Sequence, residues 1–276
     1  MASIETILRS YVQCVNEERW QDLTKIATFP LNVNGKELSD PEAFADIIRT
    51  AGRLRITIDA ITLGEETQRL GATVLAKLQL RDDSNRTIQF VEQWILWVAN
   101  GKISKLGTIP DHDEMERQLS DPSYVSSPDL ISTYDPGHED TKLSTRELED
   151  TYRAYIGCIN ARTTAADLPK FCHPHVIHNA NRLSLGEYRL LMEDAIAAIP
   201  DLFYGINTLI VDENVQRLAV RLEFTGTPTG RFAGAEPNGR SVRFYEYVTY
   251  YFRDGKIDRV WSIVDFKSYR RQLSQK

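Results

Sequence analysis

Two copies of one pattern make up most of the chain, and this duplication is the strongest constraint on its fold. Residues 87–119 and 241–273 align without a gap, and the aligned pairs are all 154 residues apart (255 − 101). The matched pairs include Phe90 and Phe244, Glu92 and Glu246, Gly101 and Gly255, Asp111 and Asp265, and Gln118 and Gln272. Upstream matches continue at slightly shorter intervals, as insertions in loops between shared elements would produce. Two copies are too few for a solenoid, so we expect two compact domains of ~120–130 residues each.

The expected domain boundaries follow from where the repeats begin and end. We expect the first domain at residues 1–119, a linker at 120–144 and the second domain at 145–276. The linker segment holds several prolines and shows no sustained hydrophobic period, which is typical of a connection between domains.

Composition limits the partners and the cellular compartment. The net charge of −6 argues against nucleic acid or an anionic membrane as a partner, because both require basic surfaces. Cys14 and Cys158 occupy equivalent places in the repeats, which predicts small buried side chains in a reducing compartment. The N-terminal segment lacks the apolar core of a signal peptide, and no apolar run is long enough to span a bilayer. We therefore expect a cytoplasmic protein.

Each copy predicts helices followed by a curved sheet. Capping-box sequences, Ser-x-x-Glu at 144–147 and 184–187, mark helix starts in the second copy. A short strand is expected around residues 175–178, between the helices. Further strands are expected at residues 203–211, 216–226, 240–252 and 256–265. This order predicts a cone-shaped α+β barrel in which a mainly antiparallel sheet wraps the helices and leaves a cavity.

Strand alternation suggests which residues line the cavity. Along residues 242–252, Phe244, Glu246 and Val248 share one face, and a tyrosine-rich face lies opposite. Burying a carboxylate on an apolar face costs free energy unless the group is paired or hydrated. Glu246 therefore either pairs with Arg221 or Arg243 or serves as an acid or base. The tyrosine-rich face predicts an interface, either with the other domain or with a second chain.

A carboxylate also ends the last strand, where Trp261, Ile263 and Asp265 share a face. Burial beside a tryptophan would raise the pKa of Asp265, as general acids and bases require. The alternative is that Asp265 caps the terminal helix that follows it.

A glycine-rich loop, an Asp-Gly-Lys-Ile turn, a tryptophan, an aspartate and a Gln-Leu pair follow one another in the second copy. The residues of this pattern are Gly226, Thr227, Gly230, Phe232, Gly234, Pro237, Gly239, Asp254, Gly255, Lys256, Ile257, Trp261, Asp265, Gln272 and Leu273. With the histidine-containing strand at 173–178, this pattern resembles the SnoaL-like polyketide cyclases, which have the nuclear-transport-factor-two-like fold. The resemblance covers the whole second domain.

The resemblance implies an intramolecular aldol closure that needs neither metal nor cofactor. It implies that Asp265 transfers the proton and that His178 assists by hydrogen bonding the oxyanion or shuttling the proton. Glu246 is the third candidate catalytic residue. The residues expected to bind a small hydrophobic substrate are Trp261, Phe244, Phe203, Tyr204 and Phe232.

A zinc site is the alternative use of the histidines at 173–178. His175 and His178 are three residues apart on a strand, which places them on opposite faces, so we expect no metal.

The first copy departs from the family pattern. Its loop, at residues 80–87, lacks the glycines and proline of residues 226–239, its early strand lacks a histidine, and Gly107 replaces Trp261. We expect this copy to be a degenerate, structural partner of the second, paired with it within the chain, or in a homodimer. The leading functional hypothesis is a cyclase or isomerase of secondary metabolism that acts on a polyketide- or terpenoid-like metabolite. The alternatives are a dehydratase or hydrolase that uses the same pocket, and a non-catalytic ligand-binding or scaffold protein.

Overall fold

The computed structural model describes residues 2–81, 86–126 and 141–274. The chain divides into two compact units, residues 1–131 and 132–276. Both units have the same α+β architecture, so the predicted tandem of two α+β domains is confirmed. The predicted linker falls partly on residues 127–140, which lie outside the described residues. Within the described ranges, no helix is both long and apolar enough to cross a membrane.

In the first unit, helices pack on one face of a six-stranded sheet with the order β2-β1-β6-β5-β4-β3. All strand pairs are antiparallel except β1 with β6. The elements are α1 (Ile4–Asn16), a 3-10 turn (Trp20–Asp22), α2 (Leu23–Ile26), β1 (Ala27–Val33), β2 (Lys36–Leu38), α3 (Pro41–Ala51), β3 (Gly52–Gly64), β4 (Arg69–Leu80), β5 (Thr87–Ala99), β6 (Lys102–Pro110) and α4 (His112–Ser120).

The second unit repeats this arrangement with the sheet order β8-β7-β12-β11-β10-β9, and its one parallel pair is β7 with β12. The elements are α5 (Thr145–Asn160), α6 (Thr164–Phe171), β7 (Cys172–His178), β8 (Asn181–Ser184), α7 (Leu185–Ala198), β9 (Phe203–Asp212), β10 (Arg217–Gly226), β11 (Val242–Arg253), β12 (Lys256–Val264) and α8 (Phe266–Ser274). The short strand β8, which pairs with β7, was not predicted from the sequence.

Local sequence signals explain where the second unit's elements begin. At the start of α5, Ser144 and Glu147 satisfy each other's backbone N–H groups, and Ser184 and Glu187 do the same at α7. The turn at residues 254–255 between β11 and β12 has positive φ at both positions (48° and 75°), the conformation of a type I′ hairpin turn.

An asparagine fastens the first helix to the sheet in both units. The Asn16 side chain donates to the Ile56 carbonyl at 2.8 Å and accepts from the Ile56 N–H at 2.7 Å. Asn160 makes the same two bonds with Tyr204, both at 2.9 Å. These matched asparagines are therefore structural.

A glutamine fastens the last helix of each unit in the same way. Gln118 donates to the Gln89 carbonyl (2.6 Å) and accepts from the Gln89 N–H (3.0 Å). Gln272 makes the equivalent pair with Arg243, at 2.8 and 3.0 Å. The asparagine and the glutamine that the repeats share therefore both have a structural explanation.

Candidate active site

Glu246 lies on the face of the second unit's sheet that turns toward the helices. Its neighbours at alternate positions of β11, Phe244 and Val248, are both 1% exposed and belong to the core. Glu246 is surrounded by protein but keeps some accessible surface. Burial raises its pKa to about 7, and a hydrogen bond from Ser262 opposes part of the increase. At neutral pH this carboxyl group can therefore both accept and release a proton.

Ser262 on β12 holds one oxygen of this carboxylate. Its hydroxyl donates a hydrogen bond to Oε1 of Glu246. Ser262 pairs with Val248 across the two strands, so it lies on the same inner face as Glu246. No described residue donates a hydrogen bond to the second oxygen, Oε2. Oε2 is therefore the oxygen available to a ligand.

His178, at the end of β7, also lies on the inner face. It pairs with Val260 of β12, a core residue, and its ring contacts Tyr188 with 5.8 Å between ring centroids. Burial lowers the pKa of His178 to about 4, so the imidazole is neutral at pH 7. A neutral imidazole donates a hydrogen bond through one nitrogen and accepts through the other. His175, by contrast, is exposed.

Four buried tyrosines from three elements surround this region. The hydroxyls of Tyr155 and Tyr188 are 2.8 Å apart, and the ring of Tyr250 packs against Tyr152 (4.9 Å) and Tyr155 (5.8 Å). Burial raises the pKa of all four well above the ordinary value, and the charge of Glu246 adds to the increase for Tyr152, Tyr188 and Tyr250. These side chains therefore stay protonated and uncharged while Glu246 titrates.

Three of the five predicted substrate-binding residues lie together on the inner side. Phe244 contacts Tyr269 of α8 with 5.0 Å between ring centroids, and Phe232 of the glycine-rich loop contacts Tyr269 at 5.7 Å. Phe224 connects Phe244 (5.1 Å) to Tyr204 (4.7 Å). These rings form a continuous aromatic layer. Glu246 lies beside it, on the same face of β11 as Phe244 and Val248.

The other two predicted substrate-binding residues lie elsewhere. Trp261 pairs with Thr249, on the face of β11 opposite to Glu246, and the guanidinium of Arg259 lies 5.2 Å from the Trp261 ring. Phe203, the first residue of β9, is 55% exposed. Neither side chain joins the aromatic layer. The cross-strand register turns Trp261 outward, and Phe203 has the opposite strand parity to its neighbour Tyr204, which belongs to the layer.

Asp265 caps the terminal helix. Its Oδ1 accepts a hydrogen bond from the Ser268 N–H (2.9 Å), and its own N–H donates to the Tyr245 carbonyl (2.8 Å). Cross-strand partners share a face, so Asp265 lies on the outward side with Tyr245 and apart from Glu246. Asp111 caps α4 in the same manner, accepting from Glu114 (3.0 Å). Helix capping thus explains why a domain without a catalytic role would also contain this aspartate.

The predicted pairing of Glu246 with an arginine is wrong. The Arg221 guanidinium lies 3.8 Å from the Tyr245 ring centroid, on the outward face, and Arg243 approaches Glu223 at 3.7 Å. Strand alternation explains both placements, because Arg221 and Arg243 occupy positions of opposite parity to the inner face. Glu246 is stabilised by Ser262 instead.

The first unit keeps a glutamate at the matching position but surrounds it differently. The indole of Trp94 donates a 2.6 Å hydrogen bond to Glu92, and the Trp94 ring packs on Tyr11 at 5.7 Å. Trp94 is only 3% exposed and replaces Val248 of the second unit. Burial again raises the pKa of the glutamate. The large indole thus packs beside Glu92, where the second unit has a smaller side chain.

Ser262 and the four tyrosines were not identified from the sequence. The difference between the copies is a signal that could have found three of the tyrosines. At the positions of Tyr152 and Tyr250 the first copy has Leu8 and Leu96. Phe44 follows the α3 N-cap Asp40 by four residues, as Tyr188 follows the α7 N-cap Ser184, so only the second copy carries these three hydroxyls. Among the residues that the structure describes, no group of three His, Cys, Asp or Glu side chains is placed to hold a metal ion.

Comparisons with known proteins each match about half of the chain. The family model described as SnoaL-like polyketide cyclase matches residues 149–273. A SnoaL-like polyketide cyclase from Agrobacterium tumefaciens is 38% identical over 48% of this chain and 100% of its own, with a TM-score of 0.44. AclR from Streptomyces galilaeus, described as a proposed hydroxylase, is 24% identical over 48% of this chain and 99% of its own (TM-score 0.42). TsrD from Streptomyces laurentii is 19% identical over 49% and 100% (TM-score 0.44).

No curated protein matches the chain. The family match spans residues 226–273, which carry the motif resemblance, and the Agrobacterium protein is 38% identical over its full length. The chain therefore belongs to the SnoaL-like polyketide cyclase family, whose fold supports a cofactor-independent activity of the cyclase or isomerase type in general.

Proposed function

We propose that the second domain is a cofactor-independent cyclase or isomerase in which Glu246 transfers the proton. The observation that carries this proposal is the state of its carboxyl group. One oxygen is held by Ser262, the other has no partner among the described residues, and the pKa is about 7. A general base works best when its pKa is close to the working pH.

The reaction we propose begins with a proton transfer from carbon. Oε2 of ionised Glu246 removes a proton from a carbon next to a carbonyl group, and the C–H electron pair becomes the enolate. Neutral His178 donates a hydrogen bond to the enolate oxygen. The enolate carbon attacks a second carbonyl of the same molecule, forming a C–C bond and an alkoxide. The alkoxide takes the proton back from Glu246, so the product is an isomer of the substrate.

The surroundings of Glu246 favour an uncharged substrate with an apolar ring or chain and two or more carbonyl groups. The aromatic layer containing Phe244, Phe232 and Tyr204 would contact its apolar part. Burial alone lowers the pKa of His178, and burial with the Ser262 hydrogen bond accounts for the pKa shift of Glu246. Among the described residues no cation therefore acts on either group, which favours an uncharged substrate over an anionic one. A small polyketide- or terpenoid-like metabolite of secondary metabolism fits this description.

The test measures proton removal without requiring the natural substrate. An aryl methyl ketone is incubated with the protein in D₂O, and loss of the methyl proton signal is followed by NMR. We expect the protein to accelerate the exchange and Glu246→Gln to reduce the acceleration by roughly 10²–10⁴-fold. The rate should rise with pH through about 7, because ionised Glu246 is the base.

Two matched variants decide between this proposal and its alternatives. Glu92→Gln replaces the matching carboxylate of the first copy by an amide. Asp265→Asn does the same to the residue that the family resemblance implies as the proton-transferring group. We expect both to retain the wild-type rate. Loss of exchange in Asp265→Asn with retention in Glu246→Gln would move the catalytic role to Asp265. Tight binding of the ketone without exchange would indicate a ligand-binding protein.

A further inference from the structure

We infer that Ser262 and Asn179 are positioning residues that hold the Glu246 carboxylate with one oxygen fixed and the other free. The inference rests on the proposed function for its catalytic consequence, since it explains how the proposed base is oriented. Ser262 contacts the carboxylate directly, and Asn179 acts through Ser262.

Asn179 lies in the turn between β7 and β8, directly after His178. Its N–H donates to the Val260 carbonyl (2.8 Å), and its Oδ1 accepts from the Ser262 N–H (2.8 Å). These two bonds fix the backbone of β12 on both sides of residue 261. Asn179 has φ of 53°, in the left-handed region, which asparagine tolerates better than most residues. The same turn thus places His178 and aligns the strand that carries the Ser262 hydroxyl.

The first copy also has a turn asparagine whose side chain accepts from a strand N–H, a contact that we call the asparagine clamp. There, however, the hydroxyl of the clamped residue does not bind the glutamate. Asn34, with φ of 52°, accepts from the Thr108 N–H at 2.8 Å. Its side-chain amide donates to the Thr108 hydroxyl (3.2 Å), and Glu92 takes its hydrogen bond from Trp94 instead. The asparagine clamp is therefore a feature of the fold. What distinguishes the second copy is that the clamped hydroxyl donates to the glutamate.

The effect on protonation follows from the groups that face Glu246. The titratable groups are Tyr152 from α5, Tyr188 from α7, Tyr204 from β9 and Tyr250 from β11, and burial raises the pKa of each. His178 on β7 is neutral above about pH 4. All of these remain uncharged near pH 7, so the Ser262 hydrogen bond is the specific contact that stabilises the ionised carboxylate.

The test follows the titration of Glu246 itself. In protein labelled with ¹³C-glutamate, the Glu246 side-chain signal is the one absent from Glu246→Gln. We expect Ser262→Ala to move the titration midpoint upward, because the ionised form loses a hydrogen bond. Ser262→Thr, which keeps the hydroxyl, should move it less. Ketone exchange at pH 7 should fall about tenfold in Ser262→Ala, as loss of one charge-assisted hydrogen bond predicts.

Asn179→Gly tests the clamp, because glycine adopts positive φ freely and only the side-chain contact is lost. We expect an upward midpoint shift in this variant and none in the matched variant Asn34→Gly or in Thr108→Val. An unchanged midpoint in Ser262→Ala, or equal shifts in the first-copy variants, would overturn the inference. Titration shifts as expected, with no ketone exchange by the wild type, would uphold the role of Ser262 and refute the proposed function.

Discussion

The Trp94 indole donates a 2.6 Å hydrogen bond to Glu92 and is itself buried. In the second copy the matching glutamate receives its bond from Ser262, and the position of Trp94 is taken by Val248. Each glutamate is thus buried with one oxygen held by a neighbouring side chain, and the copies differ in the donor and in the size of the side chain two positions along the strand. That the first copy is structural stays a prediction, which the substitutions below test.

Trp94→Phe should destabilise the first domain. The substitution removes volume from the core and leaves buried Glu92 without its donor, so we expect a loss of about 2–4 kcal/mol in the free energy of unfolding. Hydrogen exchange measured by mass spectrometry during urea unfolding reports each domain separately. A loss below about 0.5 kcal/mol would show that the indole contact contributes little.

Glu246→Gln should change how the second domain's stability depends on pH. The folded-state pKa is raised from 4.5 to about 7, so the folded state binds more protons than the unfolded state between these values. Wild-type stability therefore falls as pH rises through this window, by at most about 3 kcal/mol. The variant lacks this fall, so its stability relative to wild type should increase from pH 4.5 to 7. A flat difference would contradict the raised pKa.

His178→Asn should give the opposite trend. The folded-state pKa is lowered from 6.5 to about 4, so the unfolded state binds more protons between these values. Wild-type stability falls as pH decreases from 6.5 to 4, and removal of the histidine abolishes that loss. Relative to wild type, the variant should therefore become more stable toward low pH. Urea titrations at several pH values would show two difference curves of opposite slope for the two variants.

Asp265→Ala and Asp111→Ala should have similar effects. Each removes a helix N-cap, which typically costs about 1 kcal/mol, whereas Asp265→Asn should cost little because asparagine also caps. Thermal unfolding followed by domain-resolved hydrogen exchange compares the three variants. A much larger cost at residue 265 than at 111 would indicate a role for Asp265 beyond capping.

The hydroxyls of Tyr155 and Tyr188 should be energetically coupled. Tyr188→Phe leaves the Tyr155 hydroxyl buried without its partner, at a cost of about 1–2 kcal/mol. The first copy has Tyr11 and Phe44 at these positions, so the fold accommodates phenylalanine. The double variant should cost about 1 kcal/mol less than the sum of the single variants, as measured by a double-mutant cycle. Strict additivity would show that the 2.8 Å contact is not stabilising.

The sequence by itself determined the duplication, the α+β class and most strand positions in the second domain. Capping boxes, the turn at residues 254–255 and the alternation of residues 242–252 are local signals, and they act over a few residues. Alternation also placed Phe244 and Glu246 on one face, because that face depends only on the strand's own period.

The tertiary structure decided which strands and helices contribute to the site. Whether Asp265 or Ser262 faces Glu246 depends on the register between β11 and β12, which places Val248 opposite Ser262 and turns Asp265 outward. Tyr152 and Tyr188 reach Glu246 only because α5 and α7 pack on the sheet. Register and helix packing are long-range contacts, and the pattern within a single strand or helix does not contain them.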